Sequence, residues 1–223
     1  MRSASYLPMA LVATGITLVS TAFSPAKAAS FSFSIDQFTG DDTKVDFFLQ
    51  DITGGVEIQA AINTTDSNVS GDISGIWFDI ANDSLVGSLD ISGANLTGEQ
   101  QSVDNVNDLG GGVNLNGGGS LAPLDVGVKI GANGNDNIEQ TTLTVLGNGL
   151  STMDFIGQAF GVRIKSSGPN ENGSSKLAGF APSSFDQPND PQNVPEPTAI
   201  LGSLVVVGLG FSMKRKQNAF QDV

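Results

Sequence analysis

The sequence predicts an all-β fold, an antiparallel β-sandwich of the jelly-roll type, with a β-barrel as the alternative. Three observations support this prediction. Apolar and polar residues alternate with a period of two in many short runs. Glycine, asparagine and aspartate interrupt the chain between these runs. The body of the chain shows no convincing 3.6-residue periodicity, which an amphipathic helix would require.

The first element along the chain is an expected signal peptide, residues 1–28. An early arginine precedes an uncharged stretch over residues 7–23 (LPMALVATGITLVSTAF), and the small residues Ala26 and Ala28 follow. This order is typical of secretory signals that end in an A-x-A cleavage pattern. We expect cleavage after Ala28, which leaves Ala29 as the first residue. A membrane anchor is the weaker alternative, because a cleavage-like site and polar β-type sequence follow the apolar run.

The second element is a secreted β domain over residues 29–180. Its alternating runs are rich in Thr, Val, Ile and Phe, the residues that fit a pleated and half-buried surface. Eight to ten short strands joined by turns are expected. The clearest runs are residues 31–35, 56–62, 126–130, 142–146 and 160–165, with further candidates at 45–52, 73–80 and 85–91.

The alternation also predicts which side chains point inward. Trp77, the single tryptophan, alternates with Ile76 and Phe78 and should lie on the opposite face, partly exposed or under a loop. Packing is favoured over ligand stacking for this residue, because it has no aromatic partner in the pattern. The predicted core consists of Ile35, Phe47, Leu49, Val56, Ile58, Ile76, Phe78, Ile80, Leu143, Val145, Phe160, Val162 and Ile164.

The last elements are a linker and a tail of three parts. Residues 181–194 (APSSFDQPNDPQNV) are rich in Pro, Asn and Ser and predict an extended linker. A Pro-Glu-Pro motif follows at 195–197, then an uncharged run at 198–213 and a basic cluster at 214–216. The run is short for a membrane span, but its glycines disfavour a soluble helix. The basic cluster stands where a cytoplasmic flank belongs, so residues 217–223 would form a cytoplasmic tail.

This tail, residues 195–216, resembles the PEP-CTERM sorting signal of Gram-negative bacteria that secrete exopolysaccharide. The resemblance implies that an exosortase, a membrane-embedded transpeptidase-like enzyme, recognises the tail and cleaves near the Pro-Glu-Pro motif. It also implies transient anchoring in the inner membrane, followed by delivery to the outer surface or the extracellular matrix. The additional residues 217–223 depart from the usual pattern. The matching residues are Pro195, Glu196, Pro197, Lys214, Arg215 and Lys216.

The body is similar to a family of short secreted β-rich proteins that carry this tail. That resemblance implies secretion and a β fold, and it supplies no catalytic residue. The segments that carry it are residues 75–80 (GIWFDI), 105–112 (NVNDLGGG), 125–128 (DVGV), 138–142 (IEQTT), 160–163 (FGVR) and 173–177 (GSSKL).

Composition excludes several classes of function. The 223 residues include no His and no Cys, so the chain has no His-dependent catalytic triad and no Cys/His zinc site. The formal net charge is −13, and residues 29–194 alone hold 21 acidic and five basic side chains. A nucleic acid partner is therefore not expected. Carboxylate chemistry, binding of hard cations such as calcium, and structural roles remain.

The strongest candidate for a cation site is the segment 131–139, GANGNDNIE, which partly matches a calcium-binding β-roll repeat. Asn133, Asn135 and Asp136 are its candidate ligands, with calcium as the candidate cofactor. Such sites form between stacked repeats, and the chain has one copy, so a polar hairpin loop is favoured. Further aspartates cluster at 36, 41 and 42, and at 104 and 108 beside a glycine-rich segment.

These features together predict a non-enzymatic secreted or cell-surface protein, part of an exopolysaccharide or extracellular matrix. The alternative is a calcium- or carbohydrate-binding adhesion module. The expected partners are an exosortase-type membrane transpeptidase, the membrane through the C-terminal helix before processing, and a polysaccharide. A pair of carboxylates acting on a polysaccharide requires a defined separation in a cleft, which no sequence pattern establishes.

Overall fold

A computed structural model describes residues 28–67, 69–117, 121–132, 136–168 and 170–184. This part of the chain is almost entirely β-strand. It also contains one helical turn, α1 (Thr64–Ser67), and 3₁₀ turns at Asp83–Leu85 and Thr152–Phe155. The strands are β1 (Ser30–Gly40), β2 (Lys44–Ile52), β3 (Gly55–Ile62), β4 (Asp72–Phe78), β5 (Asp90–Gly93), β6 (Leu96–Val106), β7 (Leu124–Ile130), β8 (Gln140–Leu146), β9 (Ala159–Ser167) and β10 (Gly173–Phe180).

The ten described strands form one antiparallel sheet in the order β5-β8-β3-β2-β1-β10-β9-β4-β7-β6. The sheet curls until it nearly closes into a barrel, so the all-β prediction is confirmed and the architecture matches the barrel alternative. Strand β1 joins the two halves of the sheet. Its first part, Ser30 to Asp36, pairs with β2, and its last part, Gln37 to Gly40, pairs with β10 and contains a bulge between Gln37 and Thr39. Bulges of this kind let one strand serve two sheet directions.

The inward face of the sheet forms a single core. All thirteen residues of the predicted core are buried, none with more than 2% of its surface exposed. The prediction is therefore confirmed residue by residue. Because opposite halves of the curled sheet contribute to the same cluster, burial of these side chains holds the sheet in its curled form.

Phe160 lies at the centre of an aromatic group within this core. Its ring centroid is 4.9 Å from that of Phe33 and 5.0 Å from that of Phe47. The rings of Phe78 and Phe155 lie at 6.0 Å and 6.1 Å. These distances are typical of favourable edge and offset contacts between aromatic rings. Phe160 therefore connects side chains from four separate segments of the chain.

The outward face of β4, β7 and β9 is also buried. Trp77 lies on this face, opposite Ile76 and Phe78, and none of its surface is exposed. It packs in a second cluster with Val113 and Leu115, which belong to the segment 107–117. The prediction that Trp77 lies on the opposite face is confirmed, with packing under a loop as the outcome. We call the segment 107–117 the covering segment.

None of the helices among the described residues is both long and apolar enough to cross a bilayer. The helix predicted over residues 198–213 lies outside the described residues.

We expect Phe160→Ala to lower the free energy of unfolding by about 3–5 kcal/mol, because it leaves a cavity among four aromatic rings. Urea unfolding followed by circular dichroism measures the change. Phe180→Ala is the matched control, because Phe180 is 61% exposed and its truncation should change stability by less than about 0.5 kcal/mol. Equal losses for the two variants would contradict the assignment of Phe160 to the centre of the core.

Candidate functional site

The residues of the two predicted sorting signals lie mostly outside the described part of the chain. This applies to Ala26 and to all six residues of the tail motif. Ala28 and Ala29 are described and directly precede β1. The carbonyl of Ala29 accepts a hydrogen bond from the Asp51 N–H at 2.9 Å, so the ordered sheet begins within two residues of the expected cleavage position.

The predicted calcium segment 131–139 connects β7 to β8. These strands belong to different halves of the sheet and do not pair, so the segment is a crossover and the expectation of a hairpin loop is wrong. A hairpin and a crossover give the same alternation of polar and apolar residues. Alternation depends on which face of the sheet a residue occupies and not on which strand it pairs with. Asn133 and Asn135 lie outside the described residues.

The described part of this crossover is held by two aspartates. Asp136 accepts a hydrogen bond from the Ala132 N–H at 2.6 Å. The buried Asp72 accepts from the N–H groups of Asp136 at 2.8 Å and Ile138 at 3.1 Å. Both carboxylates therefore satisfy backbone donors, which is the usual role of aspartate in a tight connection.

The aspartates near the start of the chain do not gather into one site. Asp36 lies 3.8 Å from the ammonium of Lys44, whereas the carboxylate of Asp41 accepts a hydrogen bond from the Ser167 hydroxyl. Asp42 is exposed. These three aspartates therefore have separate surroundings between the end of β1 and the start of β2.

The acidic group that the fold does assemble consists of Asp79, Asp104 and Asp125, which we call the aspartate trio. One carboxylate oxygen from each residue lies within 4.8 Å of an oxygen from each of the other two. Asp79 follows β4, Asp125 lies near the start of β7, and Asp104 lies in an irregular part of β6 at φ +49°. Phe78 pairs with Val126, so the next residues on each strand, Asp79 and Asp125, are neighbours on the outward face.

Backbone hydrogen bonds join the members of the trio. The Asp125 N–H donates to Asp79 Oδ1 at 3.0 Å. The carboxylate of Asp125 accepts from the N–H groups of Ile80 at 3.1 Å and Asp104 at 2.8 Å. Asp125 is 2% exposed, so its two oxygens are satisfied inside the protein. These bonds tie β4 and the irregular part of β6 to β7.

The surroundings of Asp79 in the trio disfavour its charged form. Burial raises the pKa of Asp79 to about 7, from an ordinary value of 3.8. The hydrogen bond from the Asp125 N–H opposes this rise, because it stabilises the charged carboxylate. The negative charges of Asp125, Asp104 and Asp83 add to it. The carboxyl group of Asp79 therefore changes its charge near neutral pH.

No family model, no curated protein and no solved structure matches this chain. The chemistry of the trio is therefore inferred from its own geometry.

Three roles are chemically open to such a group. It can fasten three strands through backbone hydrogen bonds, hold a hard cation through carboxylate oxygens, or act as a pair of carboxyl groups with separated pKa values. The hydrogen bonds establish the first role. Three grooves on the described residues are lined by other side chains, one across β1–β3 and two beside Asn95, Asp136 and Ile138.

Sequence reasoning selected Asp104 but did not connect it with Asp79 or Asp125. Both missed residues lie at strand ends, Asp79 directly after β4 and Asp125 near the start of β7. The missing information was the pairing of β4 with β7, which are separated by more than 40 residues in the chain. Alternation patterns cannot supply a pairing over that separation.

Asp79→Asn should stabilise the protein above pH 7. Between about pH 4 and 7 the folded state keeps the Asp79 proton and the unfolded state releases it, so stability falls as pH rises through this window. After allowance for solvent screening, we expect a gain of about 1–2 kcal/mol at pH 8 that vanishes near pH 4. Asparagine keeps the oxygen that accepts from the Asp125 N–H. Urea unfolding across this pH range measures the difference.

Asp90→Asn is the matched control, because Asp90 is exposed on β5 and is not a member of the trio. Its effect on stability should change little with pH in this window. A gain for Asp79→Asn that is the same at pH 4 and pH 8 would contradict the raised pKa of Asp79.

Proposed function

We propose that this protein is a non-enzymatic component of a bacterial cell surface or exopolysaccharide matrix, exported through its signal peptide and sorted by its C-terminal tail. The observation that carries the proposal is the order of three features in the last 29 residues. The Pro-Glu-Pro motif precedes an uncharged run, and the basic cluster at 214–216 follows it. Because this tail resembles the PEP-CTERM signal, the expected processing partner is an exosortase-type membrane transpeptidase.

The position of the folded domain supports this proposal. Strand β1 begins at Ser30, two residues after the expected cut, and β10 ends at Phe180, next to the linker 181–194. Processing at both signals would therefore leave every described strand intact. A domain that depended on either signal for its core would lose part of its sheet.

The two ends of the described domain leave it on the same side. Antiparallel pairing of β1 with β10 places the start of β1 near the end of β10. The carbonyl of Pro182 accepts from the Gly157 N–H at 2.8 Å, and the Thr152 N–H donates to Asp51, the partner of Ala29. Before processing, the linker would present the opposite end of the domain, where β3 ends at Ile62 and β8 begins at Gln140, away from the membrane.

Fractionation of cells that produce the full chain or a chain ending at Val194 tests the proposal. The full chain should appear first in the membrane fraction and then at the outer surface or in the medium. The shorter chain should lack the membrane-bound stage, because it has no hydrophobic run after the linker, and should remain in the periplasm.

A chain ending at Lys216 is the matched control. It lacks the last seven residues and keeps all three parts of the tail, so it should be distributed like the full chain. If the chain ending at Val194 reaches the same compartment in the same amount as the full chain, the proposed sorting role is wrong.

The second candidate function is a calcium- or carbohydrate-binding adhesion module. The observation that favours its calcium part is the aspartate trio, whose carboxylates converge within 4.8 Å. The backbone hydrogen bonds that these carboxylates already accept explain their positions without a cation, so the trio ranks below the sorting signal as an indicator of function.

Calorimetry of the full chain with millimolar calcium tests this second candidate. Calcium binding at the trio should raise the melting temperature, because a ligand that binds the folded state stabilises it. Asp104→Asn should abolish that rise, whereas Asp90→Asn should leave it unchanged. No heat and no rise in melting temperature would exclude calcium from this role.

A further inference from the structure

The expected cleavage position lies beside a carboxylate of the folded sheet. The Asp51 N–H donates to the Ala29 carbonyl at 2.9 Å, and the Ala29 N–H donates to Asp51 Oδ2 at 3.3 Å. Ser30 pairs with Gln50, so Ala29 and Asp51 extend the pairing of β1 with β2 by one residue. The nitrogen that a cut after Ala28 would free is therefore already held next to the Asp51 carboxylate.

The Asp51 carboxylate is also fixed from its other side. Its Oδ1 accepts a hydrogen bond from the Thr152 N–H at 2.7 Å. Thr152 is the first residue of the 3₁₀ turn Thr152–Phe155 and is fully buried. One oxygen thus anchors the carboxylate to the domain, and the other faces the Ala29 nitrogen. Because the side chain is already oriented, a cation that binds Oδ2 has little rotamer freedom to remove.

Asp51 has no cationic partner among the described residues. Both ion pairs that the structure describes within 4.0 Å belong to Lys44, which lies at the opposite end of β2, about 20 Å away along the strand. The titratable groups on the neighbouring elements, Glu57 on β3 and Asp154 in the 3₁₀ turn, are also acidic and accept hydrogen bonds from uncharged groups. All three groups would attract a positive charge at the Ala29 nitrogen.

Cleavage after Ala28 would create that charge. Hydrolysis breaks the Ala28–Ala29 peptide bond, and water supplies a hydroxyl to the Ala28 carbonyl carbon and a hydrogen to the Ala29 nitrogen. The freed amine then takes a proton from solvent, because the ordinary pKa of an α-amino group is about 7.7–8.0. A neutral N–H becomes an ammonium with three donors at the same position. Hydrogen bonds between charged groups are shorter and about twice as strong as neutral ones.

We propose that Asp51 is the binding site for the N-terminal ammonium of the processed chain, and that removal of the signal peptide thereby fastens the start of β1 to β2. The inference rests on the proposed export for the cut itself. Because β1 joins the two halves of the sheet, this ion pair stabilises the strand at their junction. The precursor lacks the ion pair, so its β1 is held less firmly until the signal peptide is removed.

The geometry selects a single N-terminal residue. Asp51 pairs with the buried Val56, so Asp51 and Ala29 lie on the inward side of their strands, whereas Ser30 lies on the outward side. A chain that begins at Ser30 would lack the nitrogen that faces Oδ2. A chain that begins farther upstream would carry its charge at least one residue, about 3.3 Å, beyond this position.

Reactivity of the N-terminal amine tests the proposal on the protein purified after export. Mass spectrometry first establishes whether the chain begins at Ala29, and acetylation of that amine is then followed from about pH 6 to 10. Only the neutral amine reacts. The Asp51 carboxylate should raise the pKa of the amine above its ordinary range, so acetylation at about pH 8 should be about fivefold slower than in Asp51→Asn. Asparagine keeps an oxygen that can accept from the Thr152 N–H.

Two further variants separate the ion pair from folding. Insertion of Ser-Gly between Ala28 and Ala29 keeps the cut and Asp51 but moves the ammonium away, so the amine should react as fast as in Asp51→Asn. Glu57→Gln is the matched control, because Glu57 pairs with Gln50 and lies on the outward face, and it should leave the reactivity unchanged. A chain that begins elsewhere than Ala29 would overturn the proposed cut and this site together. An N-terminus at Ala29 with equal reactivity in the wild type and Asp51→Asn would overturn only the site.

Discussion

The burial of Trp77 on the outward face of the sheet is the constraint on which the arrangement of the surface depends. Gly127 and Gly161 flank it on the neighbouring strands, and a Cβ on Gly127 would lie 2.8 Å from the indole nitrogen. Because Gly161 has no side chain, Leu115 of the covering segment packs directly against the sheet at this position. Two residues before Trp77 lies Gly75, which pairs with Lys129 and Arg163. Two residues after Trp77 lies Asp79 of the aspartate trio.

Charge on this face is therefore segregated, although the chain as a whole is acidic. The aspartates at positions 79 and 125 lie toward the end of the domain where the chain enters and leaves, and the cations lie beyond Trp77. Several other acids satisfy backbone donors, as Asp72 does for the crossover after β7. Net charge alone would describe a uniformly anionic domain, whereas the strand register brings Lys129, Arg163 and Lys176 to the same side of the sheet.

The inward face of the fold could be predicted from the sequence, and the outward face could not. Alternation identifies residues such as Val162 and Ile164 because burial on one side of a strand repeats every second residue. The covering segment has no such repeat, so the sequence does not predict that its residues pack on Trp77. The grouping of Asp79 with Asp125, and of Lys129 with Arg163, depends on strand pairs that are distant in the chain. The crossover at 131–139 was mistaken for a hairpin for the same reason.

The proposed function requires that the β domain is delivered after processing at the two proposed signals that flank it. Mass spectrometry of the protein recovered from the outside of its producing cell tests this most directly. The account predicts an N-terminus at Ala29 and a C-terminus at or near residues 195–197. Recovery of a surface protein that still begins at Met1 and ends at Val223 would contradict it.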